Sequence, residues 1–371
     1  MATDSIISLS FNPSQIDQKT MTATNNTFFS KKITLLNVIA TFLIVILHSE
    51  TPLRFGRELS LAGAPFVYVI FIITQVAVPL FFFLSGLLFY KDCEWKNLPQ
   101  KLYRRIFSLV IPFLIWNIFF VAVFWAISKV PSIADKMNRP AELNTVKDWL
   151  LAIWHTKYTP LWFIKYLIIF NLMSPAILLI IRNKYFGWAI ALGLLSTSAI
   201  LKWDSYCDIL YWMPVYLSGA LLGRHLYSDG KNQESALFAG YGSNTKKIIL
   251  MTLAASLVAV YFIALFKGEF ILYFRFITPL AIWFFTDCVL GADFKDKFVV
   301  RKWMGYSFFI YATHHFLLNA EQALVRAYLP NTMTVINLTF IITPVVTFVL
   351  IVLIANRLSR YKFYKYLTGG R

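Results

Sequence analysis

The chain has 371 residues, of which 58% are hydrophobic and only 14% are charged. Soluble domains carry roughly a quarter charged residues, so this composition excludes a soluble protein and makes the lipid bilayer its expected partner. The net charge of +17 does not indicate nucleic-acid binding, because the basic residues stand in short blocks between apolar runs rather than on a polar domain. We expect no nucleic-acid partner.

The chain begins with a polar segment and continues as a series of apolar runs. Residues 1–30 are rich in Ser, Thr, Asn and Gln, which is typical of a disordered tail. Ten runs then approach the roughly 20 apolar residues that a transmembrane helix needs. They cover 33–49, 66–90, 106–128, 160–181, 185–201, 208–226, 247–266, 270–291, 304–320 and 333–356. The predicted fold is all-α, a polytopic membrane helix bundle of about ten transmembrane helices.

The distribution of Lys and Arg predicts the orientation of the bundle. With both termini cytoplasmic, the inner segments hold 23 of the 35 Lys and Arg residues and the outer segments hold 10, as the positive-inside effect requires. We therefore predict a cytoplasmic tail over 1–30, a transmembrane domain over 31–358 and a basic cytoplasmic tail over 359–371. The longest outer loop, 129–159, could contain a surface helix.

The first span carries a polar stripe that includes Asn37 and His48. These two residues are eleven positions apart and share one helical face with Thr34 and Thr41. Polar groups are costly in hydrocarbon, so the stripe should face the bundle interior or a wet cavity. Hydrogen bonds between helices are one explanation. For His48 the other is catalysis, because imidazole moves protons near neutral pH.

A proline and a basic block mark the second span and the segment after it. Pro79 should kink the helix, and Ser85-Gly86 permits a close approach between helices. The basic block contains Lys91, Lys96, Lys101, Arg104 and Arg105. It could anchor the topology against lipid headgroups, or it could bind the phosphates of a nucleotide-bearing donor.

Three later spans contribute further candidates. Trp162 and Lys165 lie near the outer interface, where Lys165 could also snorkel outward. Arg275 lies near the outer end of its span and is a functional candidate by default, although snorkelling or structural pairing would also explain it. Tyr311 and His314 share a face, and at most one of His314 and His315 should meet it. We expect no metal site, since H-E-x-x-H and C-x-x-C motifs are absent.

Taken in order, these segments resemble the integral membrane acyltransferase type 3 family over residues 33–356. The segments that carry the resemblance are the first span ending in His48, Val78 to Gly86, Leu161 to Lys165, Tyr216 to Gly219 with the following Leu-Leu-Gly223, and Ser307 to His314. The resemblance implies ten core helices in the plasma (inner) membrane and transfer of an acyl group, often acetyl, from cytoplasmic acyl-CoA. The implied acceptor is a hydroxyl of a cell-surface polysaccharide or a lipid-linked sugar.

The first span departs from the family's pattern at one position. The family has an arginine, ten residues and a histidine. Here the histidine is His48, but Asn37 stands at the arginine position. A neutral amide cannot pair with phosphate or carboxylate as guanidinium does. Arg275 or Lys165 could supply that charge instead.

These residues give a mechanistic hypothesis. Lys101, Arg104 and Arg105 would hold the phosphates of acyl-CoA, and its acyl arm would run beside Asn37. His48 would act as general base on the sugar hydroxyl or carry the acyl group itself. Glu50 would orient the acceptor or the imidazole, while Arg275 and Tyr311 would stabilise the oxyanion. Two other functions stay open: a transporter or flippase of a glycan-synthesis pathway, and a non-catalytic scaffold.

Overall fold

The computed structural model describes residues 28–60, 62–130, 143–205, 208–228, 271–290 and 294–370. In these ranges the regular secondary structure is all helical, which confirms the predicted class. The α-helices of five residues or more are α1 (Phe28–Leu47), α2 (Pro65–Thr74), α3 (Ala77–Tyr90), α4 (Leu98–Arg105), α5 (Ile111–Ser128), α6 (Val146–Trp154), α7 (Trp162–Leu172), α8 (Ser174–Ile180), α9 (Lys184–Ile200), α10 (Met213–Leu226), α11 (Ile271–Val289), α12 (Ser307–Tyr328), α13 (Met333–Leu358) and α14 (Tyr364–Thr368). Shorter or irregular elements are a π-helix, two 3-10 helices and two four-residue helices: Ile106–Val110, Ile209–Trp212, Lys302–Tyr306, Thr51–Arg54 and Phe294–Lys297.

Two prolines explain where predicted spans are broken. The predicted span 66–90 consists of α2 and α3, which separate at Gln75. A proline inside a helix clashes with the carbonyl four residues earlier and cannot bond to it, and the residue four positions before Pro79 is Gln75. In the same way, α7 and α8 meet at an angle of 67° where Pro175 lies in the first turn of α8.

Four continuous helical segments are long and apolar enough to cross a membrane, and the bent pair of α7 and α8 would make a fifth. The four are Phe28–Leu53, Pro65–Tyr90, Leu98–Ser128 and Met333–Leu358. Helices also lie over the other predicted spans, but they are shorter or more polar, and the predicted span 247–266 lies outside the described residues. These features point to a multi-pass membrane protein. The count of about ten spans and the cytoplasmic position of both termini stay predictions.

The core is built around a close contact between α3 and α10. A Cβ atom added at Gly219 would lie 2.0 Å from the carbonyl oxygen of Phe83, and one at Gly223 would lie 2.3 Å from that of Leu87. Gly86 faces α10 just as tightly. Small residues four apart let helix backbones touch in this way. The contact fixes the start of α3 close to the turn that precedes α10.

The predicted outer loop contains a helix, and the sequence had suggested that it could. α6 lies within 129–159, and it begins with a capping box between Thr145 and Asp148. The backbone N–H of Asp148 donates to Oγ1 of Thr145 at 3.2 Å, and the backbone N–H of Thr145 donates to Oδ2 of Asp148 at 2.8 Å. These reciprocal bonds satisfy two donors at the helix start.

The packed part of the chain begins before the predicted domain does. α1 starts at Phe28, inside the tail predicted over 1–30, while residues 1–27 lie outside the described part. Lys32 is only 1% exposed. Its Nζ donates to the carbonyl of Trp283 at 2.6 Å, which ties α1 to α11.

The C-terminal segment predicted as a tail over 359–371 also packs on the bundle. It contains α14, in which Tyr364 and Thr368 are buried. Nε1 of Trp116, on α5, donates to the carbonyl of Leu367 at 2.9 Å. The packed domain therefore extends beyond residue 358.

Candidate active site

A cavity of about 150 Å³ lies where the C-terminal end of α1 meets the break between α2 and α3. Residues predicted from the sequence line it together: His48, Glu50, Trp162, Arg275 and Tyr311. Sites for whole small-molecule ligands usually measure about 300–1,000 Å³. This cavity is large enough for an acyl group and a sugar hydroxyl, but a complete donor or acceptor must extend beyond it.

The turn at the end of α1 places His48 and Glu50 at the cavity. α1 ends at Leu47, and Glu50 adopts a left-handed conformation with φ of 34°. That conformation is unfavourable for a residue with a side chain and occurs where the surrounding structure enforces it. Here Nε2 of Gln322, on α12, donates to the carbonyl of Ser49. α12 therefore holds the turn that carries the candidate base.

Two further histidines surround His48. The ring centroid of His48 lies 5.1 Å from that of His314 and 5.6 Å from that of His315. Both neighbours therefore approach His48, although only one was expected to meet this face. Adjacent side chains on a helix diverge by about 100°, and the end of α1 lies between the two directions.

The hydrogen bonds of His314 define its tautomer. Nδ1 of His314 lies 2.8 Å from the carbonyl oxygen of Tyr311 and 3.1 Å from that of Ile310. Carbonyl oxygens only accept, so Nδ1 carries the proton, and in the neutral ring Nε2 keeps its lone pair. His314 is fully buried, and within the described chain its Nε2 has no hydrogen-bond partner. The His48 ring thus lies beside a buried proton acceptor.

Arg275 reaches the cavity from α11 and is held by uncharged side chains. Its Nη1 donates to Oη of Tyr211 at 2.9 Å, and its Nη2 donates to Oε1 of Gln75 at 2.5 Å. The guanidinium carbon lies 5.4 Å from the ring centroid of Trp212, within cation–π range. These contacts fix the orientation of the guanidinium group in the cavity wall.

Tyr311 and Trp162 form part of the aromatic wall. The hydroxyl of Tyr311 donates to the carbonyl of Pro160, and its ring centroid lies 5.9 Å from that of Phe163. The ring centroid of Trp162 lies 5.8 Å from that of Trp212. Because a phenol has one proton to donate, the Pro160 contact occupies the donor that was expected to face an oxyanion.

Comparison with known families supplies the decisive observation. A family model described as an acyltransferase domain matches residues 31–355, almost the whole chain. The chain belongs to the acyltransferase 3 family. Comparison with curated proteins and with solved structures gave no match. Membership in this family and the apolar helices together indicate a membrane acyltransferase.

Two residues expected in this acyltransferase site lie elsewhere. Asn37 does not line the cavity, and it precedes His48 by eleven residues, or about 16 Å of helical rise. Lys165 also lies outside the lining, with Nζ 5.9 Å from the ring centroid of Trp154 and 5.3 Å from that of Tyr166. Neither residue places a charge in the cavity.

The predicted donor-binding residues lie at the opposite end of α3. Nζ of Lys101 donates to the carbonyls of Phe89 and Lys91 at 2.8 and 2.6 Å, and therefore caps the C-terminal end of this helix. The guanidinium of Arg105 lies 5.3 Å from the Phe89 ring centroid, whereas Arg104 is exposed. Gln75 lines the cavity, and Lys91 lies sixteen positions later at this basic end. That separation corresponds to a helical rise of about 24 Å.

The cavity also contains side chains that sequence reasoning missed. Gln75 could have been found, because a lone amide inside a long apolar run is costly in a membrane and needs a reason. Tyr211 and Trp212 carry no such signal in a chain that is 18% aromatic. Within the described residues no three His, Cys, Asp or Glu side chains gather as metal ligands, and the absence of a metal stays a prediction.

Proposed function

We propose that this acyltransferase moves an acyl group, acetyl in the first instance, from cytoplasmic acyl-CoA to a sugar hydroxyl. The acceptor is a cell-surface polysaccharide or a lipid-linked sugar, and the site of action is the plasma (inner) membrane. The observation that carries the proposal is the position of His48. Its imidazole lines a cavity that also contains the cation Arg275, and it lies beside the buried imidazole of His314.

His48 acts as the general base. It accepts the proton of the sugar hydroxyl while the hydroxyl oxygen attacks the thioester carbonyl carbon. The tetrahedral intermediate then collapses, the carbon–sulfur bond breaks, and the imidazolium returns its proton to the CoA thiolate. In the two-step alternative, His48 attacks the thioester first and carries the acyl group to the sugar.

His314 supports His48 as a positioning residue. Its Nδ1–H is held by backbone carbonyls, so its Nε2 is a fixed lone pair at 5.1 Å between ring centroids from His48. A lone pair beside the His48 ring stabilises the imidazolium that forms when His48 accepts the proton of the sugar hydroxyl.

Arg275 is the group best placed to stabilise the oxyanion. Among the described residues that line the cavity, Arg275 is the one Lys or Arg residue. Its position is fixed by hydrogen bonds to Gln75 and Tyr211. Preorganised charge in a site with little water stabilises negative charge that develops on the thioester oxygen. Tyr311 contributes through the shape of the wall, because its hydroxyl proton is engaged by Pro160.

The donor enters from the basic end of α3. Arg104 and Arg105 bind its phosphates, while Lys101 stabilises the helix end beside them. The described cavity reaches Ile44 and Val78 on that side. The acyl arm of the donor must therefore open a path past these two side chains to reach His48.

The test is transfer by the purified protein. Incubation with radiolabelled acetyl-CoA and candidate glycans, followed by mass analysis, should give acetylated sugar and free CoA. Thioester hydrolysis without sugar modification would support the acyltransferase activity but would show that the sugars tested are not its acceptors. Movement of a glycan across vesicles with no consumption of acetyl-CoA would contradict the proposal and support a transporter or flippase.

A further inference from the structure

Arg275 is a partly buried cation whose charge has no counterion among the described residues. Its hydrogen bonds go to Gln75 and Tyr211, which are neutral, and it makes no ion pair with a carboxylate of the described residues. Its Nε is buried and has no hydrogen-bond partner in that part of the chain. Glu50 also lines the cavity, and no hydrogen bond of Arg275 within the described chain goes to its carboxylate.

An uncompensated charge of this kind is costly in a membrane protein. Removing a cation from water costs several kcal/mol unless an opposite charge accompanies it. The surrounding groups orient the guanidinium but do not neutralise it, since the aromatic faces of Tyr211 and Trp212 offer only a weak attraction. The arrangement is that of a site for an anion that the described residues do not supply.

We propose that Arg275 binds an anionic group of the substrate, a carboxylate or a phosphate, beside the reacting hydroxyl. Guanidinium matches both groups geometrically. The inference rests on the proposed function, because the anion is taken to belong to a substrate of acyl transfer. It assigns an acidic acceptor, such as a uronic acid or a sugar phosphate. The free carboxylate of a dicarboxylic acyl group, such as succinyl, could bind Arg275 in the same way.

The phosphates of CoA are not the anion that Arg275 meets. The basic residues Arg104 and Arg105 lie at the far end of α3, about 24 Å of helical rise from Gln75. Arg275 bonds directly to Gln75 at the near end. The anion bound there must therefore lie close to the hydroxyl or to the acyl group.

Binding to the purified full chain in detergent tests the inference without requiring turnover. The probes are methyl glucoside, methyl glucuronide, which has a carboxylate in place of the C6 hydroxymethyl group, and glucose 1-phosphate. Wild-type protein should bind a charged probe about tenfold to a hundredfold more tightly than the glucoside. Arg275→Gln should lose that preference, and Arg275→Lys should keep part of it.

A matched control is Arg57→Gln. Arg57 follows the same turn after α1 but bonds to Asn331 outside the cavity, so this variant should keep the preference. Titration with succinyl-CoA and acetyl-CoA forms the second arm. A preference for succinyl-CoA that depends on Arg275, with no preference among the sugars, would assign the anion to the acyl group.

Two results would overturn the inference. One is equal binding of charged and neutral probes in both arms, and the other is a preference that survives Arg275→Gln. His48→Ala separates the inference from the proposed function, because it should remove transfer and retain the Arg275-dependent preference. If wild-type protein showed the preference for charged probes but transferred no acyl group to any acceptor, the result would contradict the proposed function and not the anion site.

Discussion

Replacing Gln75 by Glu should neutralise the cation of the cavity without removing it. Oε1 of Gln75 lies 2.5 Å from Nη2 of Arg275, so a carboxylate there would form an ion pair. Two unit charges 4 Å apart attract by about 4 kcal/mol at an effective dielectric constant of about 20, and burial of the carboxylate costs a comparable amount. Stability should change by no more than about 2 kcal/mol, but Arg275 should lose its attraction for other negative charge.

The expected loss is large enough to measure. Half of that attraction, about 2 kcal/mol, corresponds to a roughly twenty-five-fold lower kcat/KM for acyl transfer. Initial rates with purified protein and thermal unfolding in detergent give the two quantities, and Gln75→Asn is the control that keeps a neutral amide. A Gln75→Glu protein with normal stability and unchanged kcat/KM would refute a role for the Arg275 charge in the cavity.

Three further substitutions and one control variant test other parts of the molecule. Gly219→Leu should destabilise the fold by about 3 kcal/mol or more, because its Cβ would lie 2.0 Å from a backbone oxygen. Gly193→Ala meets open space and should be tolerated in size-exclusion and unfolding assays. Arg104→Gln should raise KM for acyl-CoA by about threefold to tenfold, less at high salt; an unchanged KM would place the donor phosphates elsewhere. His314→Phe should lower kcat by about a hundredfold, and a normal kcat would exclude its support of His48.

The sequence predicted the helices well, because a run of about 20 apolar residues has few alternatives to a membrane-spanning helix. It also identified His48 and Arg275 by the cost of ionisable groups in hydrocarbon. The proline kink at Pro79 was expected. Its consequence was not, because only the packed structure shows that the break exposes Gln75 to Arg275.

The composition of the cavity could not be read from the sequence. Gln75 is 200 residues from Arg275 along the chain, and Tyr211 is 64 residues from it. The contact between α3 and α10 brings Gln75 and Tyr211 together. Local patterns also do not reveal which donors are already engaged. Lys101 bonds to backbone carbonyls, and Tyr311 bonds to the carbonyl of Pro160 at the start of the predicted span 160–181.

The central claim is that the imidazole of His48 performs the proton transfer. Its most direct test is the rate at which His48→Ala protein transfers labelled acetyl from acetyl-CoA to the acceptor, compared with His155→Ala, which changes an exposed histidine outside the cavity. We expect at least a hundredfold lower rate for His48→Ala, with unfolding temperatures and acyl-CoA binding like those of wild type. A His48→Ala protein that retains most of the wild-type rate would contradict it.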